Sequence, residues 1–143
     1  MIAVDTQVLV YAHRRDSPWY EPAKECVRKL AEGIEPWAIP WSCIHEFYAI
    51  VTHPKIYTPP STREQASDQL DAWLASPSLV LLGEAVTHWD TLRELLKVGK
   101  VTGPVVHDAR IAAVCVEHRV SELWTADRDF SRFKDLATKN PLV

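Results

Sequence analysis

Residues 1–12 read Met1-Ile2-Ala3-Val4-Asp5-Thr6-Gln7-Val8-Leu9-Val10-Tyr11-Ala12. Met1 to Val4 is an unbroken apolar run of the length of a short strand buried on both faces. Asp5 ends it, and the apolar residues from Val8 towards His13 follow as a helix. A strand, an acid at its end and a helix leading away make up the opening unit of a parallel sheet covered by helices.

Outward from this unit the alternation continues. Ser17-Pro18, with Glu21 in the first turn, predicts the start of a second helix, which runs to Glu32 and stops at Gly33. Trp37 to Ile39 is a second strand. Trp41 or Ser42 opens a helix through Val51, closed by Pro54. Pro59-Pro60-Ser61-Thr62 is a loop and cap before a helix from Arg63 to Leu74. Leu79 to Leu82 is a third strand, and Val86 to Val98 a helix with Trp89, Leu92, Leu95 and Leu96 inward. Gly103-Pro104 starts the most apolar helix, Val105 to Glu117. Ser121 to Thr125 is a fourth strand, and a helical turn at Ser131 to Phe133 precedes a final strand. The expected fold is therefore α/β, a central parallel sheet of four to five strands flanked by helices, with residues 1–143 as a single domain.

Composition bounds the function. Of the 143 residues 47% are hydrophobic and 24% charged, the mix of a folded soluble chain. The longest apolar runs, such as Ile111 to Val116, fall well short of the roughly 18 to 20 residues that span a bilayer. Asp5 within the first apolar stretch, with no basic residue before it, does not read as a signal peptide, so the expectation is a cytoplasmic protein without membrane contact. Cys26, Cys43 and Cys115 lack paired spacing and read as buried small hydrophobes. Most of the six tryptophans read as core. The net charge of −3 carries no basic excess of the kind a nucleic-acid binder usually has. If four carboxylates gather around a metal ion, however, the remainder carries one net positive charge.

Four acids stand at one rim of the expected sheet, where ligands bind in such folds. Asp5 follows the first strand and Glu46 lies in the helix after the second. Asp108 is in the first turns of the helix that leads into the fourth strand, and Asp127 follows that strand. Their neighbours are apolar: Ile2, Val4, Val8 and Val10 around Asp5, Ile44 and Phe47 around Glu46, Ile111, Ala112 and Cys115 on the face of Asp108. Carboxylates drawn towards a core cost several kcal/mol, about 3 to 5 when a partner is removed, unless something pairs with them. An oxygen-only set favours Mg²⁺, with Mn²⁺ as a substitute. Helix capping is the competing role for any one of these acids, Asp108 in particular.

The chain resembles the PIN-domain ribonucleases, and among them the VapC-type toxins of bacterial type II toxin–antitoxin pairs in an actinobacterial, mycobacterial-like subgroup. The segments that carry the resemblance are Val4 to Ala12, Ile44-His45-Glu46-Phe47 with Val51-Thr52-His53-Pro54, Val106 to Ala113, and Leu123 to Phe130 with Ser131-Arg132-Phe133. The resemblance implies a PIN-like three-layer sandwich and a Mg²⁺-dependent endoribonuclease that leaves a 5′-phosphate and a 3′-hydroxyl. It assigns Asp5, Glu46, Asp108 and Asp127 as metal ligands and catalytic acids, with Thr6 and Thr125 in support. Asp129 is either a fifth acid or the cap of the following turn, and the cap is the favoured role. A cognate antitoxin is implied, and either it or a second toxin copy would use the surface around Trp19, Tyr20 and Tyr57. A homodimer or a toxin–antitoxin hetero-oligomer follows. Gln7 stands where the family usually has Asn. Arg119 stands where a glycine usually ends the helix, so that end is expected to differ.

Arg14, Arg15, Arg110, Arg128 and Arg132, with Lys134, lie close in sequence to these acids and are the candidate RNA-phosphate contacts. His45 and His107 each precede a proposed ligand, but helix neighbours point about 100° apart, so a packed or hydrogen-bonded histidine is expected. Trp19 and Trp41 are candidates for stacking on bases. Two other functions compete. A receiver-type phosphoacceptor domain needs an acceptor Asp after its third strand, where Leu82-Gly83-Glu84 stands. A non-cleaving PIN-fold module that binds RNA or protein has no need of all four acids.

Overall fold

Strand β1 (Ile2–Val4) is the middle strand of a five-stranded sheet in the computed structural model, which describes residues 1–143. The other strands are β2 (Trp37–Pro40), β3 (Leu79–Leu82), β4 (Glu122–Trp124) and β5 (Thr138–Lys139). They lie in the order β3-β2-β1-β4-β5, all parallel. Ala3 is in register with Ala38 on one side and Leu123 on the other. Ala3, Val4, Trp37, Ala38, Ile39 and Leu123 are fully buried, the reason the central strands read as continuous apolar runs.

Six helices flank the sheet: α1 (Thr6–His13), α2 (Tyr20–Glu32), α3 (Trp41–Val51), α4 (Arg63–Leu74), α5 (His88–Val98) and α6 (Val106–Glu117). The result is the expected three-layer α/β fold. Helix α4 begins on a reciprocal capping box, Thr62 accepting from the Gln65 backbone while the Gln65 side chain accepts from that of Thr62. In α6, Ala109 and Ile111 to Cys115 are all buried, and a helix so apolar belongs against the sheet. The chain moves from β1 through β2 to the β3 edge, then returns past β1 to β4. This reversal leaves a crevice at the carboxyl ends of β1 and β4.

Several local expectations are corrected. Helix α2 begins at Tyr20, not at Ser17-Pro18, because Ser17 is spent on a turn: its hydroxyl accepts from Trp19 N (3.1 Å) and its carbonyl from Tyr20 N (3.1 Å). Helix α5 begins at His88, leaving Val86 fully exposed and Trp89 59% exposed rather than inward. The buried Glu117 carboxylate accounts for this, since it draws Ala85 N (3.0 Å) and His88 Nδ1 (2.5 Å) towards the interior and leaves the apolar side chains outside. Trp19, Trp41 and Trp89 are exposed, so only half of the tryptophans pack inside. Cys43 and Cys115 are buried as expected, and Cys26 is half-buried.

The end of α6 is not different after all. Arg119 takes the left-handed conformation a glycine would (φ +55°), with Arg119 N bonded to Val116 O (3.1 Å) and Val120 N to Cys115 O (2.9 Å). These bonds hold a side-chain-bearing residue where it is strained by about 1 kcal/mol. Arg119→Gly is accordingly expected to stabilise the protein by about 0.5–1 kcal/mol, read as a higher urea midpoint at unchanged slope.

Candidate active site

Asp5 sits where β1 gives way to α1, and its backbone N–H still completes the sheet by donating to Trp124 O of β4 (3.0 Å). Its side chain caps α1, Oδ1 accepting from Thr6 N (2.8 Å) while Oδ2 accepts from Thr125 Oγ1 (2.7 Å). The Cys43 thiol of α3 lies 3.8 Å from Oδ1. Only 5% of Asp5 is exposed. Thr125 in turn accepts from Asp127 N (3.0 Å), and Thr6 Oγ1 donates to Glu46 Oε2 (3.0 Å). Both threonines are buried and tie acids from β1, α3 and the segment after β4 into one network.

Asp5, Glu46, Asp108 and Asp127 line a single cleft of about 330 Å³. Asp108 comes from the first turn of α6 and is half-buried. Asp127 and Asp129 are exposed, and Asp108, Asp127 and Asp129 place carboxylate oxygens within 4.8 Å of one another. The favoured role of Asp129 is corrected: the cap of the 3₁₀ turn Arg128–Arg132 is Asp127, whose Oδ1 accepts from Asp129 N (2.8 Å). Asp129 is thereby free to join the acids. The hint in the sequence was an acid two residues after a capping acid.

Burial pushes the Asp5 carboxyl up to about 6 against the pull of Thr125 and Thr6 N–H, with Glu46 and Asp108 adding repulsion. Asp108 is also raised to about 6, by burial first, then by Asp127, Asp129 and Glu46, with Arg132 opposing. An acid set this short of counter-charge fits a bound cation. The Cys43 thiol, which burial and then Asp5 hold well above its ordinary value, stays neutral. The donors on offer are thus oxygens, suited to a hard divalent ion.

The candidate phosphate contacts separate. Arg132 is near enough to Asp108 to act on its charge; its Nη1 donates to Gly99 O (3.3 Å) and its buried Nε has no partner. Arg128 and Lys134 are exposed nearby in the chain. Arg110 is paired with Glu84 (2.7 Å). Arg14 is not brought to the acids: it ends α1, about 13.5 Å along the helix from Asp5. There it binds Asp16 (2.7 Å), Ser61 Oγ (3.2 Å) and Pro59 O (3.0 Å) and lies over the Tyr57 ring. Arg15 lines a separate cavity beside it. His45 and His107 are exposed and make no hydrogen bond, because Glu46 and Asp108 take the inward positions beside them; His45 packs against the Trp41 ring (centroids 6.2 Å apart), as expected, whereas His107 does not meet the expectation. Gln7, Tyr11 and Ile50 line the acid cleft, and only Gln7 had drawn notice in the sequence. The signal for the other two was their spacing, four residues after Gln7 and Glu46.

A family model described as PIN domain matches residues 2–136. The chain is 34% identical over 142 residues to VapC ribonuclease Mb2897 of Mycobacterium bovis, covering 99% of this chain and 96% of that protein. The same figures hold for ribonuclease VapC43 of Mycobacterium tuberculosis. Among solved structures, VapBC2 from Rickettsia felis bound to a DNA fragment from its promoter matches with a TM-score of 0.70 at 21% identity, over 97% of this chain and 98% of that one.

The raised carboxyls set a pH dependence. Asp5 and Asp108 bind protons more tightly folded than unfolded, so the stability they contribute is full below about pH 4 and is lost as pH rises through 6. For the buried Asp5 the loss is on the order of 3 kcal/mol. Thermal unfolding of the cation-free protein is expected at lower temperature at neutral pH than near pH 5, with Mg²⁺ restoring the difference. Asp5→Asn should raise the cation-free Tm at neutral pH, flatten the pH slope and remove the gain from Mg²⁺.

Proposed function

The chain belongs to the PIN-domain family, among the VapC ribonucleases, and from that premise we propose that it is the toxin of a type II toxin–antitoxin pair. It is a Mg²⁺-dependent endoribonuclease, with Mn²⁺ able to substitute, held in check by a cognate antitoxin. The observation that carries the reading is the convergence of Asp5, Glu46, Asp108 and Asp127 on one cleft at the topological switch point.

Asp5 and Asp108 hold the cation, with Glu46 and Asp127 completing the set and Asp129 within reach of both Asp108 and Asp127. When bound, the ion neutralises charge growing on the phosphoryl oxygens and acidifies water. Thr125 and Thr6 N–H fix the Asp5 carboxylate before substrate arrives, and Thr6 Oγ1 fixes that of Glu46. Such preorganisation places charge without reorganisation during the reaction. Arg132, with Arg128 beside it in the chain, offers the positive charge that an incoming phosphate needs among so many acids. Water attacks phosphorus in line, the bond to the 3′-oxygen breaks, and a 5′-phosphate and a 3′-hydroxyl result.

The whole of residues 1–143 acts as one such domain. No helix is long and apolar enough to cross a membrane, and the proposed setting is the cytoplasm, where RNA and a newly made antitoxin meet the protein. A homodimer or a toxin–antitoxin hetero-oligomer is the proposed assembly. Substituting Asp5→Asn or Asp108→Asn is expected to lower Mg²⁺-dependent RNA cleavage by at least ~100-fold, with circular dichroism unchanged. Chelation should silence the parent protein equally, whereas undiminished cleavage by either variant refutes the assignment.

A further inference from the structure

Besides Ala126, three side chains in the acid cleft have no part in holding a cation: Gln7 and Tyr11 on α1, and Ile50 on α3. Tyr11 lies one turn beyond Gln7, and Ile50 one turn beyond Glu46, each about 6 Å further along its helix. Helices α1 and α3 pack against each other, so the two steps run side by side and carry the cleft away from the carboxylates between a ring and an aliphatic chain. Tyr11 and Ile50 are both half-buried and packed on the core, which fixes them in place. The Gln7 amide and the Tyr11 hydroxyl make no hydrogen bond to the rest of the chain, and neither is sealed from solvent. An amide with two donors and one acceptor uncommitted, between the carboxylates and the Tyr11–Ile50 step, is equipped to read the edge of a base.

The size and the order of groups select the ligand. A phosphate drawn to the acid rim has its own base about one helical turn away, the offset between the carboxylates and the Tyr11–Ile50 step. The cleft, about 330 Å³, is at the small end for ligand sites and suits one nucleotide rather than a run of them. We propose that Tyr11 and Ile50 form the stacking platform for a single unpaired base next to the cleaved bond, and that the Gln7 amide reads that base. This rests on the nuclease reading and adds to it: one unpaired base beside the cut is chosen by α1.

The test uses the full chain with Mg²⁺ and a pool of short single-stranded RNAs randomised on both sides of one junction, with cleaved 5′ ends sequenced and KM and kcat measured on the preferred oligonucleotide. The parent should select one base at a position flanking the cut. Tyr11→Ala should raise KM about ten-fold with a smaller effect on kcat, as loss of one base stack predicts, and Tyr11→Phe should recover most of that loss. Tyr11→Leu keeps apolar bulk without the aromatic face and should behave as Tyr11→Ala, which covers the case of an unstable alanine variant. Gln7→Asn and Gln7→Leu should change the base selected at that position and leave the other positions alone. Parent-like KM and base profile in all these variants overturn the proposal, as does a rate lowered equally for every sequence. A parent that cuts without preference at the flanking positions overturns this proposal only, whereas a parent that cuts no RNA removes the nuclease reading and this one with it.

Discussion

A carboxylate shut away at the junction of two strands is the constraint on which the rest depends. Asp5 is needed where it stands to cap α1 and to receive Thr125, yet the two hydrogen bonds on its oxygens do not offset the burial that lifts its pKa to about 6. Glu46 and Asp108 add repulsion instead of relief. Above about pH 6 the fold therefore carries an electrostatic deficit at its centre, which a proton or positive charge from outside relieves. Sites of this kind are where proteins give up stability for function.

The remaining architecture keeps that deficit in one place. Asp108 rides on α6, and α6 is fastened to the segment after β3 by three contacts: Glu117 with Ala85 N and His88, His118 Nε2 with Gly83 O (2.8 Å), and Arg110 with Glu84. At the far end of α5, Gly99 allows a close approach, because a Cβ there would meet Leu95 O at 2.9 Å and the Phe133 ring at 3.0 Å. Its carbonyl is also the anchor of Arg132. The same packing that closes the core thus sets the distance between the Arg132 guanidinium and the acids.

Most of this was legible in the amino acids for identifiable reasons. Parallel strands buried on both faces write continuous apolar runs, and an acid that follows such a run, as Asp5 and Asp127 do, marks a strand end. Glu46 and Asp108 stood out because apolar helix faces surround them. What escaped depended on partners distant in the chain or on a choice between adjacent groups. Trp89 is exposed because Glu117 holds its helix start in place from α6. Arg14 is occupied by Ser61 and Pro59, which no local pattern near Arg14 announces. Between Asp127 and Asp129, the cap was decided by which oxygen meets the turn, a matter of a few backbone angles. Ser17 looked like a helix cap because the same hydroxyl serves equally well in a turn.

The pairing of β1 with β4 joins residues that are 120 positions apart, as between Asp5 and Thr125. A growing polypeptide on the ribosome has made β1 and α1 long before β4 exists, so the first acid spends most of synthesis without its hydroxyl partner, without the backbone bond to Trp124 and without Asp108 or Asp127. A fragment released before β4 is made lacks Thr125 and Asp127, and one that ends before α6 lacks Asp108 as well. The order in which the strands are woven means that the full set of acids can gather only once translation is nearly finished.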